Sequence, residues 1–111
     1  MDCIFCKIAN GEIPVELLHD DGEVVAFNDL APQAPTHILI IPKAHFKNVG
    51  EVAAAEPATV GRLFAVAAKL ASERSLDGHR TVFNTGESAG QSVFHAHLHL
   101  MGGRSFTWPA G

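Results

Sequence analysis

The length, composition and charge of the chain exclude several classes of protein. The 111 residues suffice for one small domain, residues 1–111, with one core. With a net charge of −4 and no basic patch, the chain is not expected to bind a nucleic-acid duplex. No apolar run approaches the roughly 20 residues of a membrane span, and no targeting signal opens the sequence. A cytoplasmic location without membrane attachment is therefore predicted.

The first part of the chain predicts a short helix followed by three strands. Residues 3–9 are expected to be helical, with Asp2 as the N-cap, and Gly11 and Pro14 mark the end of this segment. Polar turns and loops then separate three apolar runs. The predicted strands are residues 15–19, 23–28 and 37–41.

The second part predicts one long helix and two more strands. Residues 43–52 are expected to be loop with at most one helical turn. A helix is predicted over residues 56–75, because Pro57 suits a first turn and apolar residues recur at helical spacing. This apolar stripe, expected to contact the core or a second copy, is Val60, Leu63, Phe64, Ala67, Leu70 and Ala71. Strands are predicted over residues 80–85 and 93–101, which makes the class α+β with an antiparallel sheet.

Three histidines alternate with small or apolar residues in the segment HAHLHL, residues 95–100. In a strand, His95, His97 and His99 would share one face, while the residues between them would face the core. His95 and His99 would then lie about 13 Å apart, too far to bind one zinc ion together with His97. Separate tasks are therefore predicted: a nucleophile, a hydrogen-bond donor to an anion, and a group that orients its neighbours or binds something else. The alternative is a polar, solvent-facing row.

A glycine-containing loop, GESAGQS over residues 86–92, directly precedes this segment. Its free backbone N–H groups can form a concavity for phosphate oxygens, although it lacks the lysine of a P-loop. An ordinary hairpin turn explains the same residues equally well.

The two cysteines form a C-x-x-C pair, Cys3 and Cys6. In a reducing compartment this spacing favours a metal site or a redox-active pair over a structural disulfide. The redox interpretation is disfavoured because the pair lies at the N-terminus rather than between a strand and a helix.

Several segments together resemble one known family. The stretch GQSVFHAHLHLMGGR is similar to the signature of the histidine triad (HIT) superfamily, and further segments resemble its branch of histidine triad nucleotide-binding proteins. These segments are CIFCKIANGEIP, VVAFNDLAPQAPTHILIIPKAH, FNTGESAGQSV and GGRSFTWPAG. They cover nearly the whole chain in the expected order.

The resemblance implies a fold and an activity. Members of the branch are homodimers with a ten-stranded sheet, five strands from each chain, beside one long and one short helix. They bind purine nucleoside monophosphates and hydrolyse adenosine 5'-phosphoramidates to AMP and an amine. No catalytic cofactor is implied.

The resemblance also assigns site residues. The nucleophile would be His97, which forms a nucleotidyl-histidine intermediate, with His99 at the phosphate and Ser92 near the leaving group. Further phosphate contacts would come from Asn84, Gly90 and Gln91. Asp29 would accept the ribose hydroxyls, and the base would lie among Ile8, Ile13, Phe27 and Leu30. Without the resemblance, Asp29 could be a turn-capping residue, and the four apolar residues could simply belong to the hydrophobic core.

A structural zinc site is implied for relatives that carry the C-x-x-C pair. Its ligands here would be Cys3, Cys6, His45 and His95, a set of two sulfur and two nitrogen atoms that closes a tetrahedral site. The alternative is a pair of metal-free thiols, with His95 supporting the active site.

Three functions are compatible with these residues. The first is a nucleoside phosphoramidase. The second is a purine-nucleotide-binding regulatory protein with little turnover, since one pocket can serve either purpose. The third, a zinc-dependent hydrolase, is disfavoured because four protein ligands leave no position on zinc for water.

Overall fold

The computed structural model describes residues 3–111, which contain a five-stranded antiparallel sheet. The strands are β1 His19–Asp20, β2 Val24–Asn28, β3 Thr36–Pro42, β4 His79–Val82 and β5 Leu98–Gly102. Their order is β1-β2-β3-β5-β4, and every neighbouring pair is antiparallel. The helices are α1 Ile4–Ala9, α2 Val49–Ala55 and α3 Pro57–Glu73. The predicted α+β class and the five-stranded antiparallel sheet are confirmed.

The sheet separates two cores. Ile38 and Ile40 of β3 belong with Leu98 and Leu100 of β5 to a cluster that packs against α3. On the opposite face, residues of β2 and β3 pack against α1. The buried members of this second cluster are Cys3, Phe5, Ile8, Ala9, Val25, Phe27, Leu39 and Ile41. Because both faces are covered, β3 is buried along its whole length and is apolar from Ile38 to Pro42.

The long helix α3 confirms the prediction for residues 56–75 with shorter ends, and Pro57 lies in its first turn. Its buried face is rotated slightly from the predicted stripe. Thr59 and Val66 are buried, whereas Val60 is half-buried and Phe64 is 43% exposed. The ring of Phe64 packs against Phe83, with centroids 5.9 Å apart, outside the main core.

The prediction of loop over residues 43–52 was wrong in part, because α2 occupies Val49–Ala55. The side chain of Asn48 caps this helix by accepting a hydrogen bond from the Glu51 N–H at 3.0 Å. Helix α1 is present as predicted. Asp2, its predicted N-cap, lies outside the described residues, and Cys3 is the N-cap, with its Sγ 3.4 Å from the Cys6 N–H.

The predicted histidine strand over residues 93–101 is only half correct. Strand β5 begins at Leu98, so His95 and His97 precede it and only His99 lies within it. The preceding backbone is held elsewhere, since the Ala96 N–H donates to the carbonyl of Phe46 at 2.7 Å. The other strands differ at their ends: β1 is reduced to His19–Asp20, and β4 ends at Val82.

None of the helices within residues 3–111 is long and apolar enough to cross a membrane.

Candidate active site

A cavity of about 200 Å³ lies on the face of the sheet that carries α1. Seven of its lining residues were predicted as site residues: Ile8, Phe27, Asp29, Leu30, Ser92, His97 and His99. One side is apolar and is contributed by α1, β2 and β3, while the histidines and Ser92 lie on the other. No arginine or lysine is among the lining residues of the described chain. An anion bound here would depend on histidine and backbone N–H groups for stabilisation.

The ring of His97 is held in a defined orientation and tautomer. Its Nδ1–H donates to the backbone carbonyl of His95 at 2.8 Å, and the residue is buried. A carbonyl oxygen can only accept, so the proton of the neutral imidazole lies on Nδ1. The lone pair of Nε2 is therefore free, which is the form that an imidazole nucleophile requires.

His99 belongs to a chain of hydrogen bonds that contains His37, a residue for which no role was predicted. The Nδ1 of His37 accepts from the Gln33 N–H at 2.9 Å, so its proton lies on Nε2. That Nε2 lies 2.9 Å from Nδ1 of His99, which must accept when both rings are neutral. The Nε2 of His99 then carries a proton and can donate a hydrogen bond to a phosphate oxygen.

Asp29 completes this chain from the side of the cavity. Its Oδ2 lies 3.4 Å from Nε2 of His37 and 3.9 Å from Nδ1 of His99. Its Oδ1 accepts from the Ala31 N–H at 2.8 Å, so the same carboxylate also caps the turn. Both interpretations of Asp29, as turn cap and as cavity residue, therefore describe part of its environment.

Burial lowers the pKa of His99 to about 4, and the neighbouring His97 and His37 act in the same direction, while Asp29 opposes them. Burial also lowers the pKa of His95, against the effect of its hydrogen bond to the Pro42 carbonyl. Both rings are therefore neutral at pH 7.

The loop before the histidines is built around Gln91. This side chain is buried; its Oε1 accepts from the Gly86 N–H at 2.9 Å, and its Nε2 donates to the carbonyls of Lys47 and Val93. Gln91 thus supports the loop from behind and does not line the cavity, in contrast to the exposed Ser92. The predicted turn contains a short 3-10 helix, Glu87–Ala89, flanked by glycines with positive φ.

Three other predicted residues lie outside the lining of the cavity. Gly90 has a φ of +95°, and a Cβ at this position would come within 3.9 Å of the Asn84 amide. Asn84 and Gly90 are therefore neighbours on the loop side. Ile13 packs, partly buried, against the cluster around α1.

Sequence reasoning missed several lining residues. They are Ile4, Phe5, Val15, Asn28, Leu39 and Val93. Ile4 and Ile8 are four residues apart on α1, and this spacing could have identified Ile4, because such side chains share a helix face. Phe5 is only 7% exposed, and its ring lies edge-on to His97 with centroids 5.1 Å apart.

The four predicted metal ligands converge behind the cavity. The Sγ atoms of Cys3 and Cys6 lie 3.4 and 3.5 Å from Nδ1 of His95. His45 completes the group, with its Nδ1 3.4 Å from Sγ of Cys6 and 3.2 Å from Nδ1 of His95. All four ligand atoms lie within 4.8 Å of one another, and both cysteines are free thiols. Burial raises the pKa of Cys6 to about 11, helped by the hydrogen bond and charge of Cys3.

These distances fit a tetrahedral zinc ion. Bonds of about 2.3 Å to sulfur and about 2.0 Å to nitrogen place sulfur and nitrogen ligands about 3.5 Å apart and two nitrogens about 3.3 Å apart. The tautomer of His95 also fits. Its Nε2–H donates to the Pro42 carbonyl at 2.8 Å, which leaves the lone pair of Nδ1 directed at the cluster.

Known proteins resemble the chain over almost its full length. The family described as "Scavenger mRNA decapping enzyme C-term binding" matches residues 2–107. An uncharacterized HIT-like protein of Synechococcus elongatus is 47% identical over 111 residues, which cover 99% of this chain and 97% of that protein. The purine nucleoside phosphoramidase of Escherichia coli strain K12 is 46% identical over 105 residues, covering 93% of this chain and 88% of that enzyme.

A solved structure shares the fold closely. The HIT family hydrolase from Legionella pneumophila superposes with a TM-score of 0.94 and is 46% identical, with 99% of this chain and 100% of that chain covered. These matches agree with the histidine segment and with the sheet that presents it. The chain is therefore a member of the histidine triad superfamily.

Proposed function

We propose that this protein is a nucleoside phosphoramidase that hydrolyses adenosine 5'-phosphoramidates to AMP and an amine. The observation that carries the proposal is the hydrogen bond from His97 Nδ1–H to the His95 carbonyl, beside a cavity lined by apolar side chains, Asp29 and His99. The similarity to a purine nucleoside phosphoramidase and to an HIT family hydrolase supports the same reaction class.

In the first step, Nε2 of His97 attacks phosphorus and the P–N bond breaks. The leaving nitrogen takes a proton from solvent at the open side of the cavity, beside the exposed Ser92, and departs as an amine. The His97 ring then carries the nucleotidyl group on Nε2 and keeps its proton on Nδ1, so the ring is positively charged. The hydrogen bond from Nδ1–H to the His95 carbonyl stabilises this charge. In the second step, water attacks phosphorus and loses a proton to solvent, the P–Nε2 bond breaks with its electron pair returning to Nε2, and AMP leaves the neutral imidazole.

The remaining site residues bind and position the nucleotide. His99 donates from Nε2 to a phosphate oxygen, because His37 holds its Nδ1 as an acceptor. Backbone N–H groups near Gly90 add to the phosphate site, and the Asp29 carboxylate accepts the ribose hydroxyls. The base lies against the apolar side of the cavity, which includes Ile8 and Phe27.

Steady-state turnover of an adenosine 5'-phosphoramidate by the purified protein tests this proposal, together with acid quenching to trap nucleotidyl-histidine. We expect AMP and amine in equal amounts, and we expect the trapped nucleotidyl group to be attached to His97. Binding of AMP without turnover would instead support the regulatory nucleotide-binding function.

We also propose that Cys3, Cys6, His45 and His95 hold one structural zinc ion per chain. The support is the agreement of four ligand distances with tetrahedral zinc, and zinc bound there would fix the N-terminal segment to the sheet. Metal analysis of protein purified without chelator should give about one equivalent of zinc. The control is the Cys3→Ser/Cys6→Ser double variant, and equal zinc in this variant would refute the assignment.

A homodimer is proposed for the same chain. Within residues 3–111, strand β4 has a neighbour on one side only, and pairing with β4 of a second copy would join two five-stranded sheets into one of ten strands. The exposed Phe64 and Trp108 offer apolar surface for such contact. Light scattering at micromolar concentration should give twice the chain mass of 11.8 kDa. A single-chain mass would contradict the dimer.

A further inference from the structure

The proposed metal cluster and the proposed nucleotide cavity are joined by one short helix and one histidine. We propose that Phe5 is a positioning residue that couples the two, so that metal in the cluster and nucleotide in the cavity each strengthen the binding of the other. This inference rests on the proposed function, because it concerns the same cavity and the same nucleophile.

Helix α1 is held at its first turn by the cluster. Cys3 is the N-cap and Cys6 lies three residues later, so both cysteines flank Phe5. A helix of six residues has little stability of its own. Its position therefore depends on what its side chains contact, and two of those side chains belong to the cluster.

The same helix forms one wall of the cavity through Ile4, Phe5 and Ile8. Phe5 makes the widest set of ring contacts there. Its ring centroid lies 5.1 Å from that of His97, 5.5 Å from that of Phe27 and 6.1 Å from that of His95, and each pair is edge-on. One buried ring thus touches the proposed nucleophile, the wall for the base and a proposed metal ligand.

A second link passes through the backbone of His95. Its imidazole Nδ1 faces the cysteines, while its carbonyl accepts the Nδ1–H of His97 at 2.8 Å. The ring is also anchored by the Pro42 carbonyl. Movement of this residue toward or away from a metal ion would therefore change the orientation of the His97 ring.

The physical consequence is a reciprocal coupling. Metal draws four ligands together, fixes α1 and His95, and so orders the cavity before nucleotide arrives. By linkage, the factor by which zinc raises the affinity for AMP must equal the factor by which AMP raises the affinity for zinc. A factor of about fivefold or more is expected, within the usual range for coupled sites.

The experiment measures both factors in the 111-residue chain. AMP affinity is determined calorimetrically for metal-free and zinc-loaded protein, and zinc affinity is determined by chelator competition with and without saturating AMP. We expect the two factors to agree. In Phe5→Leu, zinc should still bind, but both factors should fall together toward the part that the His95 backbone alone transmits. The matched control is Leu39→Val, which alters the cavity from β3 rather than from α1 and should weaken AMP binding while keeping the coupling.

The possible results distinguish failure of the coupling from failure of the proposed function or of the proposed metal site. Equal AMP affinity of the metal-free and zinc-loaded wild-type protein overturns the coupling alone, and this result needs no variant. Undiminished coupling in a folded Phe5→Leu protein overturns the role of Phe5. No AMP binding by either form overturns the proposed function, and absence of zinc binding overturns the metal site; either also removes the coupling.

Discussion

The two faces of the sheet are built by different means. On one face, the 17-residue helix α3 covers an entirely apolar cluster that includes Leu63, Leu70, Ile38 and Ile40. On the other, the six-residue helix α1 covers a smaller cluster that includes Cys3 and borders Cys6, histidines and a cavity. The first face gains its stability from buried apolar area, whereas the second retains polar side chains at some cost in packing.

This contrast predicts which substitutions should lower stability and which should impair binding and turnover. Leu98 and Leu100 of β5 face α3, and His99 between them faces the cavity, so one strand contributes to both sides. Changes on the α3 face should lower the free energy of unfolding. Changes on the α1 face should affect turnover and binding first.

Among substitutions on the α1 face, His97→Ala should lower the proposed turnover most. Removing the nucleophile should lower kcat at least about 10³-fold, because the variant loses the covalent route and each factor of ten corresponds to about 1.36 kcal/mol of barrier. AMP should still bind, since the apolar wall and Asp29 remain. Single-turnover kinetics and calorimetry are the measurements. A variant that keeps a tenth of the wild-type rate would show that another group attacks phosphorus.

On the α3 face, Leu63→Ala should lower stability and leave turnover unchanged, the reverse of what is expected for His97→Ala. Leu63 is fully buried, so its truncation should lower the free energy of unfolding by about 2–5 kcal/mol through lost apolar burial and a residual cavity. Urea denaturation provides the measurement. In protein that remains folded, kcat should stay near the wild-type value. A tenfold loss of kcat without loss of stability would contradict the separation of the two faces.

Much of this two-faced arrangement could be predicted from the sequence. The α3 face follows from local periodicity, since Leu63, Ala67, Leu70 and Ala71 recur at helical spacing. The convergence of Cys3, Cys6, His45 and His95 also agrees with the resemblance, although periodicity alone could not have brought together residues up to 92 positions apart.

Other features depended on tertiary contacts that no local pattern contains. His37 and His99 are 62 residues apart and meet because β3 pairs with β5. The alternation HAHLHL was interpreted as one continuous strand, but His95 and His97 precede β5. The resemblance implied a phosphate contact for Gln91. In the structure, the amide of this residue forms hydrogen bonds to the backbone of Gly86, Lys47 and Val93.

Substitution of a polar residue at the rim of the α3 face should lower the free energy of unfolding by less than Leu63→Ala does. Asp21 accepts hydrogen bonds from the Glu23 and Val24 N–H groups, from His19 and from Arg62 of α3. Burial acts to raise its pKa, but these bonds outweigh burial and hold the pKa well below its ordinary value. Asp21→Asn keeps the shape and loses the charge, so it should cost about 1–2 kcal/mol of unfolding free energy.

The control for Asp21→Asn is Glu73→Gln, which disrupts an exposed pair with Lys69 at 3.9 Å. This substitution should cost no more than about 0.5 kcal/mol. Equal effects of the two substitutions in urea denaturation at pH 7 would mean that the Asp21 network contributes no more than an ordinary surface pair.

A loss of stability similar in size to that of Asp21→Asn should arise on the α1 face when the pH is lowered. His99 has a folded-state pKa of about 4, below the usual value of 6.5. Between these values the unfolded chain binds a proton at this residue and the folded protein does not. The contribution of His99 to stability is therefore complete above pH 6.5 and is lost as the pH falls toward 4. After allowance for solvent screening, the loss should be on the order of 1–2 kcal/mol.

His99→Asn tests this assignment, because asparagine retains a polar group but does not titrate. Urea denaturation from pH 4 to pH 7, with chelator present throughout so that metal loss does not contribute, should show a shallower pH dependence than in the wild type. His79→Asn, at an exposed position of β4, is the control and should keep the wild-type slope. If His99→Asn kept that slope as well, the acid sensitivity would originate elsewhere, and burial beside His97 and His37 would not be what keeps His99 neutral.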